Sequence, residues 1–82
     1  MDDTVIVSFC AVPQKIFLDI EVPTDLTVIE LLKALNQAFS LGVDITDVKQ
    51  CYLKMENPIA LMRGNKLVSD YGIRNGSIIY FG

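Results

Sequence analysis

The sequence predicts an α+β domain in which one helix packs across one face of a mixed β-sheet. Three observations carry this: two alternating apolar runs joined by a short turn, one amphipathic segment opened by a capping box, and further short strand-like runs separated by turn residues. At 82 residues, 51% apolar and 21% charged, the chain can build one core and has no material for a second.

Residues 4–10 are β-branched and aromatic, and alternation sets Val5, Val7 and Phe9 on one face with Ile6 and Ser8 on the other. Residues 11–14, with Pro13, break the pattern. Residues 15–22 then alternate: Ile16, Leu18, Ile20 and Val22 point inward, and Asp19 and Glu21 point outward beside Phe17. Together these runs form a β-hairpin. Thr27-Val28-Ile29-Glu30 reads as a capping box, in which the Thr27 hydroxyl accepts from the Glu30 amide and the Glu30 carboxylate accepts from the Thr27 amide. Val28, Leu31, Leu32, Leu35, Ala38 and Phe39 recur at helical spacing and define one apolar face. The helix is expected over 28–40, with Gly42 near its C-terminal cap.

Residues 43–49 fit either an extended connection or one irregular helical turn. A strand follows over 50–55, with Cys51, Leu53 and Met55 on one side, and Ile59–Met62 returns as a short strand after a turn at Glu56-Asn57-Pro58. Beyond the turn at 63–66, Leu67–Ile73 reads as an ordered loop, and Asn75-Gly76 turns the chain into a last strand over 77–81.

Net charge and residue types remove whole classes of function. The charge is −3, and the seven Lys and Arg are scattered, so no basic run neutralises several phosphates; nucleic acid is not an expected ligand. The start is acidic, unlike a secretory signal, and no apolar run reaches the length of about 18 residues that spans a bilayer, so a cytoplasmic location without membrane insertion is expected. Cys10 and Cys51 are then reduced, and read as two small buried apolar residues on strands. The chain has no histidine, which rules out Ser/His and Cys/His pairs, and without a CxxC pair no metal or other cofactor is expected. Asp19, Glu21, Asp25, Glu30, Asp44 and Asp47 fall at solvent-facing, capping or turn positions, and Gly64, Gly72 and Gly76 are isolated turn glycines. No catalytic residue is expected.

The order and lengths of these elements resemble ubiquitin, and Ser69-Asp70-Tyr71-Gly72-Ile73 is similar to the Ser-Asp-Tyr-x-Ile signature before ubiquitin's last strand. The hairpin exit matches too, with Val22, then Pro-Thr-Asp, then Thr27. The resemblance implies a ubiquitin-like β-grasp domain over residues 1–82, and that the Tyr71 hydroxyl anchors its loop on nearby backbone. The ending from Lys66 to Ile79, with Asn75-Gly76-Ser77 before the last strand, is more similar to the small bacterial YukD/EsaB proteins of type VII secretion loci.

Ubiquitin and the sulfur carriers of its fold act through a C-terminal Gly-Gly on a flexible tail, because residues without Cβ can thread a narrow adenylation site. This sequence ends Phe81-Gly82, so Gly82 is expected to be a strand-end residue and conjugation or sulfur transfer is disfavoured. The family resemblance implies a non-conjugated accessory or regulatory protein that binds cytoplasmic parts of a membrane-bound secretion machinery. The alternatives are a modifier or sulfur carrier whose tail lies outside this chain, and a β-grasp adaptor of another pathway. Alternation places Ile6, Ser8, Tyr52, Lys54, Ile78 and Tyr80 on the sheet face away from the helix, an apolar and aromatic set suited to protein binding. High β propensity explains Ile and Tyr there equally well. Unpaired strand edges would also allow a homodimer.

Overall fold

Alternation at the N-terminus becomes a hairpin of two eight-residue strands in the computed structural model, which describes residues 3–81. Strand β1 (Thr4–Ala11) pairs antiparallel with β2 (Ile16–Pro23), in a register that sets Val7 opposite Ile20 and Phe9 opposite Leu18. Helix α1 (Val28–Phe39) follows, then β3 (Tyr52–Glu56), β4 (Ala60–Arg63) and β5 (Ile78–Phe81). The strand order is β2-β1-β5-β3-β4, with β5 parallel to β1 and antiparallel to β3. The sheet is therefore mixed, and α1 lies across one face of it, as expected.

The inner face is closed. Val7, Phe9, Ala11, Leu53, Met55, Met62 and Ile79 are buried beneath Val28, Leu31, Leu32 and Leu35 of the helix. Burying one such Leu, Phe or Ile contributes roughly 1.5–3 kcal/mol. Phe39, in the last turn of α1, stacks on Phe9 with ring centroids 5.3 Å apart. The capping box has both expected bonds: Glu30 N–H donates to Thr27 Oγ1 at 3.1 Å, and Thr27 N–H to Glu30 Oε1 at 3.0 Å.

Several expectations need correction. The helix stops at Phe39, and its left-handed cap is Ser40 (φ 52°), whose N–H donates to the Asn36 carbonyl. Gly42 is left-handed as well (φ 75°), but it lies in the following loop, where Asn36 Nδ2 and Oδ1 clasp the carbonyl and N–H of Val43. Ala38 is exposed, although Phe39 beside it packs on the sheet. Leu18 points inward in register but remains 41% exposed, because β2 is a sheet edge. Residues 43–51 contain a 3₁₀ turn (Val48–Gln50), capped by the Asp47 carboxylate on Lys49 N–H. This turn takes Cys51 out of the strand, although its side chain is buried. Cys10 is only half-buried, on the outer face. The expectations for Met1, Asp2 and Gly82 fall outside the described residues.

The loop before β5 is also ordered. It forms a second 3₁₀ turn (Val68–Tyr71) that ends in left-handed Gly72. Tyr71 Oη donates to the Arg63 carbonyl at 2.9 Å and accepts from Arg63 N–H at 3.3 Å, the anchoring expected of this residue. Ser77, fully buried, donates to the Asn57 carbonyl and accepts from Arg74 N–H. Asn75 Oδ1 accepts from Ile6 N–H at 2.8 Å, while Gly76 N–H donates to the Ile6 carbonyl, so the turn is stitched to β1.

Candidate protein-binding face

Because paired residues in a sheet share a face, the register fixes what the outer face presents. One row crosses all five strands: Phe17, Cys10, Tyr80, Lys54 and Leu61. A second row runs Asp19, Ser8, Ile78, Glu56. Ile6 pairs with Glu21 at one end, and Tyr52 with Arg63 at the other.

All six residues proposed from alternation lie on this face, but they are not equally available. Ile6, Tyr52 and Lys54 are exposed, whereas Ser8, Ile78 and Tyr80 are half-buried on the two central strands. Ser8 Oγ donates to Asp19 Oδ1 at 3.1 Å, so its hydroxyl serves the hairpin. Burial pushes the Tyr80 phenol above its ordinary 10.0, and the Glu56 carboxylate beside it adds to the effect. Tyr80 therefore stays a neutral hydroxyl at physiological pH.

Three neighbours belong with the six and escaped the sequence reading as site residues. Phe17 (64% exposed) and Leu61 (48%) close the two ends of the first row, and Cys10 sits between Phe17 and Tyr80. Carrying the alternation count through both edge strands finds Phe17 and Leu61, since each follows the same outward parity as its paired neighbour. A shallow hollow of ≈ 400 Å³ sits between Lys54, Glu56, Ile59, Leu61 and Tyr80. The face is thus largely apolar and aromatic along its first row, which Lys54 interrupts, with Glu21, Asp19, Glu56 and Arg63 around it. This combination of an apolar centre and a polar rim suits protein contact. Among the described residues, no cluster of three His, Cys, Asp or Glu side chains could hold a metal ion.

Residues 4–81 match the protein family described as WXG100 protein secretion system (Wss), protein YukD. No curated protein matches the chain. Among solved structures, the C-terminal ubiquitin-like domain of mouse tubulin-specific chaperone e is similar over 96% of this chain and 84% of that one, with 15% identity and a TM-score of 0.71. A ubiquitin-like domain from tubulin-binding cofactor B is similar over 98% and 89%, with 16% identity and a TM-score of 0.74. The UBL domain of Plasmodium falciparum Dsk2 is similar over 96% and 99%, with 14% identity and a TM-score of 0.64. At such identities the likeness establishes a ubiquitin-like β-grasp fold and nothing about partners.

Proposed function

We propose that this chain, which belongs to the YukD family of the WXG100 protein secretion system, serves that system as a single ubiquitin-like domain that docks non-covalently on another protein. The supporting observation is the outer row from Phe17 to Leu61, which crosses five strands, is apolar or aromatic except at Lys54, and is left uncovered by the chain's own helix. The partner we assign is a cytoplasmic part of the membrane-bound secretion machinery, and the role is accessory or regulatory, with no catalytic step. No helix among the described residues is long and apolar enough to cross a membrane.

Capture of the tagged full chain from its own cells, divided between native and denaturing washes, tests this reading. Secretion components retained only under native washing are the expected result. Phe17→Ser with Leu61→Ser should abolish that capture while leaving the melting temperature nearly unchanged, since both side chains are exposed. Tyr52→Ala is a suitable third change, whereas Ile78→Ala would also remove half-buried packing on β5. Undiminished capture by the double variant, or adducts that survive denaturation, would overturn the proposal.

A further inference from the structure

On the helix side of the sheet, a groove of ≈ 650 Å³ opens between the start of α1, the 45–51 segment and the turn after β4. Ile29, Ile45 and Val48 give it an apolar lining, and Val48 is 87% exposed. Lys49, Arg63 and Lys66 surround these residues, and among the described residues no acidic side chain lines the groove. Lys49 and Lys66, with Arg63 at the boundary to the outer face, thus meet at one concavity of a protein whose net charge is −3.

The carboxylates on the same segments are turned to other work. Glu30 accepts from Thr27 N–H, Asp44 from Thr46 N–H, Asp47 from Lys49 N–H and Asp70 from Leu67 N–H. Each is held on a backbone N–H as a cap, and none of the four lines the groove. The back of the groove is held in place by Tyr71, whose hydroxyl bonds both backbone groups of Arg63.

From this charge complementarity we infer that the groove binds a short acidic, aliphatic segment of a partner protein. Carboxylates of that segment would meet Lys49 and Lys66, and a Leu, Ile or Val side chain would rest on Ile29, Ile45 and Val48. Single-stranded nucleic acid fits less well, because it needs aromatic platforms. The lining aromatic, Tyr71, has its hydroxyl on Arg63 and the Lys66 ammonium 6.0 Å from its ring centroid.

The inference does not rest on the outer-face reading, although Val48, Lys49 and Arg63 also border Tyr52 and Leu61 where the two surfaces meet. Lys66 lines the groove alone of the two, so it separates them. A random twelve-residue phage-displayed peptide library, selected on the full chain and counter-selected on Lys49→Glu/Lys66→Glu, supplies the probe. The expected consensus places Asp or Glu beside Leu, Ile or Val. A synthetic consensus peptide should shift the amide resonances of Ile45, Gly64 and Lys66, and should bind Phe17→Ser/Leu61→Ser unchanged. It should weaken about tenfold or more on Lys49→Glu/Lys66→Glu, and also weaken on Val48→Ser. No consensus, a basic or purely apolar one, shifts confined to the outer face, binding indifferent to Val48, or displacement by oligothymidylate would each overturn the inference.

Discussion

Met55 and Lys54 are neighbours on β3, as Ile79 and Tyr80 are on β5. The first of each pair is sealed beneath α1, while the second lies on a surface that no element of the described chain covers. The two faces use similar β-forming residues, and the outer one carries Phe17, Ile6, Tyr52 and Leu61 where a solvated sheet would carry charge or threonine. The difference between the faces therefore lies in what covers them. Packing density is set by the helix on one side, and on the other the apolar strip is left for contact with something else.

The contrast can be broken most forcefully from the inside. Phe9→Ala removes a fully buried ring, together with its stack on Phe39, and should cost about 3–5 kcal/mol in urea unfolding. Tyr71→Phe keeps the ring and deletes the bonds to Arg63, so a loss of about 1–2 kcal/mol is expected in the same measurement. Thr27→Ala removes one half of the capping box, for about 1 kcal/mol.

The other half of that box has a pH signature. Bonds from the Thr27 backbone and hydroxyl hold the Glu30 carboxyl below its ordinary 4.5. A carboxyl depressed in the folded state adds stability that is complete above its unfolded value and is lost as pH falls through its folded value. Stability should therefore fall on titration from about pH 6 to about pH 3, and Glu30→Gln should flatten that fall without abolishing it, because Asp44 is depressed by its bonds to Thr46 in the same way. Smallest in stability and largest in binding is the outer-face pair: Phe17→Ser with Leu61→Ser should move unfolding by no more than about 0.5 kcal/mol per site while removing partner capture.

Much of the architecture was legible because period and capping are local. Val7 and Phe9, the Thr27–Glu30 box and the Asn75-Gly76 turn each announce themselves within a few residues. The exceptions depend on tertiary position. Leu18 obeys the alternation yet lies on an edge strand, and Ala38 keeps the helical spacing yet is exposed beside Phe39, which packs on Phe9. Ser40 takes the left-handed cap because Asn36 secures the loop that follows, a contact no propensity of serine reveals. The six outer-face residues were legible from parity, and the same parity carried into β2 and β4 reaches Phe17 and Leu61, whose place in one row only the strand order reveals. The groove was invisible, since it gathers Ile29, Lys49 and Lys66 from three separate segments.

The stitching of Asn75-Gly76 onto β1 also bears on how the molecule ages. An asparagine followed by glycine is prone to deamidation, because the glycine nitrogen can attack the asparagine side-chain carbonyl and close a succinimide ring. Here both reactants are restrained: Asn75 Oδ1 accepts from Ile6 N–H, and the Gly76 N–H is occupied by the Ile6 carbonyl. The lesion must therefore wait for this turn to come away from β1, and its rate becomes a slow clock of local opening at the centre of the sheet.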